Sequence, residues 1–146
     1  YPKKEDYLLK PFTRYALSKA EAEFSFIKAY EKDKFPITIL RPSLTYGSKL
    51  GLYRQISTDS SWIDRIRKGK PILICDDGGA RCQFMHADDA AYVFISLLGR
   101  EECFGEVYNV VNEKPYSWKE YHIEAMNVIG KKVDMKFLTV LKKLLM

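Results

Sequence analysis

The sequence predicts an α/β fold: half of a doubly wound, Rossmann-like parallel layer carried together with a small second lobe. Three observations lead there. Segments with apolar residues near a 3.6-residue period alternate with short β-branched runs, the pattern of helices layered on a sheet. Two of those runs, 37–41 and 107–111, suit central sheet strands, while 72–75 and 81–86 look like an appended hairpin. Two central strands make a poor sheet on their own, so the layer reads as one half of a larger one.

Each element has a local reason. Residues 1–11, with Pro2, Pro11 and several charges, read as loop. Ala16, Ala20, Phe24, Ile27 and Ala29 form the apolar stripe of a helix over 13–33, which Pro36 stops. Ile37-Thr38-Ile39-Leu40 is the strand that follows, ended by Pro42, with a loop over 43–49 and irregular chain to residue 60. Ser60 or Ser61 caps a short helix over 62–68 that Gly69 terminates. Asp76-Asp77-Gly78-Gly79 is a strong turn signal between the 71–75 and 81–86 runs. In the second run, alternation puts Cys82, Phe84 and His86 on one face and Arg81, Gln83 and Met85 on the other. A helix over 89–98, with Asp88 and Asp89 as its N-terminal cap, precedes the 107–111 strand. Ser117 with Glu120 spells a capping box for a helix ending near Ile129, and Phe137, Val140, Leu141, Leu144 and Leu145 share one face of a last basic helix.

Composition narrows the classes. The 146 residues suit one domain with a real core, and 47% hydrophobic against 29% charged residues excludes disordered and fibrous chains. No apolar run approaches the roughly 18 residues of a membrane-spanning helix, so no membrane partner is expected. Cys75, Cys82 and Cys103 are odd in number and scattered, which suits reduced thiols in a cytoplasmic setting. His86 and His122 are far apart in sequence and no Cys/His/acid cluster has ligand spacing, so no metal site is expected. The net charge of +5 is weak evidence for an anionic partner, and nucleic acid is not the favoured one. The chain opens at Tyr1, which predicts sequence upstream.

Tyr15 and Lys19, four apart, share one helix face. A neighbouring cation favours the phenolate and makes a tyrosine usable as general acid/base for a hydroxyl that becomes a carbonyl. Spacing alone is not diagnostic, since Tyr30 and Lys34 repeat it at a helix end, where a solvated contact explains it.

Context adds meaning. Tyr15-x-x-Ser18-Lys19-x-x-x-Glu23 is followed by Arg41-Pro42-Ser43-Leu44-Thr45-Tyr46-Gly47, Gly69-Lys70-Pro71, Asp77-Gly78, Phe84-Met85-His86-Ala87-Asp88-Asp89 and Gly105-Glu106-Val107-Tyr108-Asn109. In that order the series resembles the C-terminal portion of the extended short-chain dehydrogenase/reductase family of NAD-dependent epimerases and dehydratases. The resemblance implies that Tyr15 is the acid/base and that Lys19 tunes it and binds the nicotinamide ribose. It also implies that Pro42 and Ser43 pack against the nicotinamide of NAD or NADP. Ser43, Thr45 and Arg81 become candidate contacts for a sugar or nucleotide-sugar substrate. His86 is expected to orient its loop rather than to catalyse. Residues 12–48 and 87–111 would form the sheet-and-helix layer, and 49–86 with 112–146 the substrate lobe.

Three departures qualify the picture. No G-x-x-G-x-x-G occurs, so the phosphate-cradling turn is absent from this sequence and weak or no NAD binding is expected of the chain alone. The family's catalytic Ser or Thr lies further upstream of its tyrosine than the residues preceding Tyr15 reach. Cys82 stands where many nucleotide-sugar enzymes carry an arginine, with Arg81 beside it. The resemblance further implies a homodimer through the 13–33 helix, which the uncovered edge of the 37–41 strand also favours. The alternative is a non-catalytic RNA-binding or scaffold protein on the same fold.

Overall fold

The computed structural model describes residues 4–56 and 59–139. In chain order the elements are α1 (Arg14–Asp33), β1 (Ile39–Pro42), β2 (Leu44–Tyr46), α2 (Ser61–Arg67), β3 (Ile72–Cys75), β4 (Arg81–Cys82) and β5 (Phe84–His86). Then come α3 (Ala87–Leu97), a 3-10 turn (Glu101–Cys103), β6 (Val107–Val110), β7 (Tyr116–Ser117), α4 (Trp118–Ile129) and β8 (Met135–Leu138). The chain divides into two compact units, Tyr1–Ser43 with Asp88–Val110 and Leu44–Ala87 with Val111–Met146.

The first unit is an α/β layer. β1 and β6 pair in parallel with Arg41 opposite Asn109, an arrangement that needs a long crossover connection between them. Thr13, in extended backbone, caps α1 by accepting a hydrogen bond from the Ala16 N–H at 3.1 Å. At the other end Lys34 takes the left-handed conformation (φ 53°), its N–H closing on the last carbonyls, and Pro36 prevents continuation. Ala16, Ala20, Ile27 and Ala29 are half-buried, as the periodicity predicts, but Phe24 is 59% exposed. Glu23 takes the inward place instead, because its carboxylate bonds Arg41 of β1.

Two contacts fix the direction of α1. Tyr30 lies flat against Gly105, just before β6; an added Cβ there would sit 2.1 Å from the Tyr30 ring, and φ is +85°, so only glycine fits. Gly105 in turn donates its N–H to the Ile37 carbonyl at 2.7 Å, ahead of β1. Tyr30 therefore marks the amino ends of the strands, and Glu23, on Arg41, their carboxyl half. α1 runs antiparallel to β1 and β6, and its first turns lie toward the strands' carboxyl ends.

The second unit holds most of the fully buried side chains. Trp62 and Ile66 of α2, Ile72 and Ile74 of β3, and His122 and Met126 of α4 are all buried, with α2 and α4 packed over β3. Here the structure corrects several expectations. The 72–75 and 81–86 runs do not form a hairpin: β3 pairs in parallel with β8, β4 antiparallel with β7, and β5 in parallel with β2. The Asp76–Gly79 turn does form, with Gly78 N–H on the Cys75 carbonyl at 3.0 Å. The chain leaving it is captured by the start of α4, since Trp118 N–H bonds Ala80 O at 3.2 Å and Lys119 N–H bonds Gly78 O at 3.0 Å.

That capture leaves the backbone groups of β3 to find another partner, and residues 135–138 supply it as strand rather than helix. Phe137 thus belongs to β8, while Val140, Leu141, Leu144 and Leu145 lie outside the described residues. Leu44–Tyr46, expected as loop, is the strand β2. The side chain of Ser60 does not cap α2; the Asp59 carboxylate does so, accepting from Ser61 N–H at 3.0 Å. The α4 capping box is present on both sides, with Glu120 N–H on Ser117 Oγ at 3.1 Å and Ser117 N–H on Glu120 Oε2 at 2.7 Å.

Candidate active site

Tyr15 and Lys19 stand together on the exposed first half of α1, with Lys19 Nζ 5.5 Å from the centre of the Tyr15 ring. Tyr15 is 73% exposed, so its phenol is open to a reacting partner. The half of α1 that carries the pair lies toward the carboxyl ends of β1 and β6, the side on which open α/β sheets take up ligands. The second Tyr–Lys pair is an internal control. Lys34 Nζ is 5.0 Å from the Tyr30 ring, but Tyr30 is packed against Gly105 at the opposite ends of the strands. The same spacing occupies two unlike environments, and only one of them is open.

Pro42 ends β1, and Ser43 N–H donates to the Val110 carbonyl at 3.0 Å, carrying the β1–β6 ladder one bond further. Beside them, Arg41 gathers three elements. Its Nε and Nη2 bond the two oxygens of Glu23, the Nε contact at 3.1 Å, and its Nη1 donates to the Glu5 carbonyl at 2.9 Å. The Glu5 carboxylate accepts the Asn109 N–H at 2.9 Å, and that hydrogen bond is the main reason its carboxyl lies below the usual range. Arg41 and Pro42 read in sequence as a strand terminator; the folded chain adds this clasp, which joins segments whose convergence no local pattern announces.

The second unit contains an open groove of about 870 Å³, within the size range of small-molecule sites. Tyr46, Tyr53, Phe84, Tyr116 and Tyr121 make its aromatic lining, Arg81 and Lys114 are its cations, and Glu120 and Glu124 its acids. Phe84 and Tyr121 stack at 4.6 Å between ring centres. Burial pushes the Tyr121 phenol up to about 12, so it stays protonated. Burial pushes the Cys82 thiol up to about 11, and its Sγ faces the Tyr116 carbonyl at 3.5 Å, an inert arrangement. Arg81 lines the groove, so the cation beside Cys82 does reach it. Thr45 lies in β2 opposite Met85, and His86 meets the Tyr46 ring edge-on at 5.2 Å.

Sequence reasoning missed the tyrosine lining. Tyr46 and Tyr53 come from one stretch and Tyr116 and Tyr121 from another, some sixty residues on, and the β2–β5 and β4–β7 pairings bring the two together. The local signal available was the alternation that separates Arg81 from Cys82.

Comparison with known proteins bears on these features. A 2'-dehydrokanamycin reductase of Streptomyces kanamyceticus is 25% identical over 121 residues, which is 83% of this chain and 34% of that protein. A dTDP-D-glucose 4,6-dehydratase of Mus musculus is 33% identical over 102 residues, 69% of this chain and 27% of that protein. The chain therefore spans about a third or less of the curated relatives it matches. Among solved structures, a dTDP-glucose 4,6-dehydratase of Bacillus anthracis in complex with NAD superposes with a TM-score of 0.78 at 22% identity, covering 94% of this chain and 43% of that one. A UDP-glucuronic acid 4-epimerase of Bacillus cereus in complex with UDP-glucuronic acid and NAD gives 0.75 at 25% identity, with the same coverage. These likenesses support the Rossmann-type α/β fold. Residues 1–111, which include α1, both strands of the first unit and the Tyr15–Lys19 pair, match the family model directly, and the chain belongs to the NAD dependent epimerase/dehydratase family.

Proposed function

We propose that this chain carries the proton-handling part of an NAD- or NADP-dependent oxidoreductase of the epimerase/dehydratase type, acting on a hydroxyl of a sugar or nucleotide sugar. The observation that carries the reading is the exposed Tyr15–Lys19 pair on the half of α1 that points to the carboxyl ends of β1 and β6. Family membership and the names of the relatives support it. Tyr15 takes the proton of the substrate hydroxyl, and Lys19 offsets the negative charge that develops on the phenol. A bound nicotinamide cofactor would supply the hydride acceptor for the carbon that bears this hydroxyl. Lys19, Pro42 and Ser43 are the residues here that suit its nicotinamide-ribose end. Ser43, Thr45 and Arg81 are assigned to the substrate. The groove's aromatic lining suits a planar base, and Arg81 with Lys114 suit phosphate oxygens.

The pyrophosphate end of the cofactor has no matching cradle among the described residues. Gly69, Gly99 and Gly130, all at positive φ, follow helix ends, while Gly78 lies in a turn and Gly105 under Tyr30. None of them opens a helix in the way a phosphate-binding turn does. The 146-residue chain alone is therefore expected to bind NAD weakly, and titration calorimetry yielding micromolar affinity would contradict this. We assign the protein to the cytoplasm, as a homodimer through the outer face of α1.

Tyr15→Phe in the full-length protein tests the central assignment. Turnover falls by about 10²–10⁴-fold while cofactor affinity stays nearly unchanged, because only the proton-transfer group is lost. Lys19→Ala weakens both. Near-normal turnover by Tyr15→Phe would remove the tyrosine from the mechanism.

A further inference from the structure

We propose that Arg41 is a positioning residue: by clamping Glu23 of α1 and the backbone of Glu5 to the carboxyl end of β1, it sets where Tyr15 and Lys19 stand. This rests on the acid/base reading of that pair. The clasp itself is a feature of the structure.

Among the described residues α1 contributes no fully buried side chain, and its Ala16, Ala20, Ile27 and Ala29 are half-buried. Two contacts tie it to the strands, Tyr30 over Gly105 and Glu23 on Arg41. The guanidinium suits this junction because one rigid fork bonds both carboxylate oxygens and still has Nη1 for the Glu5 carbonyl. The junction is also closed on itself. Glu5 returns to β6 through the Asn109 N–H, and Asn109 is the residue that faces Arg41 in the β1–β6 register. Both side chains of the ion pair are shielded, Arg41 at 23% and Glu23 at 14% exposure, so solvent screens it less than a surface pair.

Lever arms give the consequence a size. Tyr15 lies eight residues before Glu23, about 12 Å along the helix axis, so a tilt of roughly 5° about Glu23 moves the phenol by roughly 1 Å. A misplacement of that order costs about 100-fold in rate. With Tyr30 as the pivot, about 22 Å from Tyr15 along the axis, the same tilt moves the phenol nearly twice as far. Tyr15 has no other tie of this kind among the described residues, since the hydrogen bond that Ser18 makes to its carbonyl stays within the helix.

The test uses the full-length protein and the variants Arg41→Gln, Arg41→Lys and Glu23→Gln, with Tyr15→Phe as reference. Two quantities are read: amide hydrogen exchange along α1, and kcat and KM with NAD and dTDP-glucose or UDP-glucuronic acid as probe substrates. In Arg41→Gln, exchange over residues 15–23 quickens at least tenfold while residues 27–33 hold, and kcat falls roughly 10–100-fold with KM for NAD moving less than about threefold. Glu23→Gln gives the same pattern more weakly, and Arg41→Lys falls between wild type and Arg41→Gln. Unchanged exchange over 15–23 overturns the proposal. So does a uniform rise across α1 and β6, which would make Arg41 a general stabiliser. Exchange that quickens while kcat holds also overturns it, provided Tyr15→Phe is inactive. An active Tyr15→Phe instead sinks the acid/base reading, a separate result. If Arg41→Gln does not fold, Glu23→Gln, which keeps the guanidinium and its bond to Glu5, decides by the same two readouts.

Discussion

The two units are built on opposite economies of burial. The second closes over its own core: Trp62, Ile66, Ile72, Ile74, His122 and Met126 are essentially removed from solvent, drawn from two helices and a strand. Among the described residues the first has Ala90, Cys103 and Val110 buried, while Phe24, Phe26, Tyr92 and Ile95 remain exposed on its helices. Clasps and caps hold that unit where apolar packing holds the other: Thr13 on Ala16, Thr38 Oγ1 on the Cys103 carbonyl at 2.8 Å, and Arg41 across three segments. The lesson concerns division of labour. The unit that carries the proposed proton chemistry is the one whose geometry rests on directional bonds, and the groove belongs to the one with the hydrophobic core.

The largest expected effect breaks the comparison from the core side. Trp62→Ala removes the biggest fully buried side chain of the second unit, and should cost about 3–5 kcal/mol of stability. Both tryptophans, Trp62 and Trp118, lie in that unit, so the fluorescence of Trp118 in a urea titration of the variant reports its unfolding directly. A midpoint within error of wild type would mean that the core assigned here carries no stability.

The next effect is smaller and depends on pH. His122 is fully buried, with Nδ1 2.6 Å from the Trp118 carbonyl; a carbonyl can only accept, so Nδ1 carries the hydrogen. Burial lowers its pKa below the ordinary 6.5, and the Arg54 charge lowers it further against the opposing effect of that hydrogen bond. Above pH 6.5 the ring is neutral in folded and unfolded chains alike, and its contribution to stability is fully present. Below 6.5 the unfolded chain takes up a proton that the folded core refuses, so stability falls as pH falls toward the depressed folded value. For one proton the slope is at most about 1.4 kcal/mol per pH unit. Urea midpoints at pH 7.5 and 5.0 should differ in that direction for wild type and converge in His122→Phe. An equal pH dependence in the variant would place the titrating group elsewhere.

The same contrast explains what could be read from the chain. Local devices were legible: the Ser117–Glu120 capping box, the Pro36 stop after α1, the shared face of Tyr15 and Lys19, and the run that becomes β6. Each is decided by residues within a turn or two of one another. Apart from the Ser60 cap, the misreadings are long-range. β3 had a suitable turn after it, yet pairs with β8, because the chain leaving the turn is held by the start of α4. β2 is three residues of unremarkable pattern that become strand only beside β5. Phe24 fits the apolar stripe as well as Glu23 fits none, and Arg41 inverts the choice. The groove and the clasp were invisible for this reason: their members are brought together by pairing, with no spacing to announce them.

The smallest effect on stability is expected from the outer face of α1, and it sharpens the comparison from the other side. Leu17 and Phe24 are 47% and 59% exposed there, and Lys28 Nζ lies 4.4 Å from the Phe24 ring centre. In a single copy of the chain Phe24→Asp removes little packing and gains an i,i+4 partner in Lys28, so the unfolding midpoint should shift by no more than about 0.5 kcal/mol. If this face is instead the isologous surface of a homodimer, the same substitution buries a carboxylate against its symmetry mate and abolishes association. Light scattering at micromolar concentration separates the two consequences. Wild type should run as a discrete dimer and Phe24→Asp as a monomer of unchanged fold. A monomeric wild type, or a dimer that survives the substitution, would show that α1 meets no second copy through this face, and its exposed apolar residues would then need another explanation.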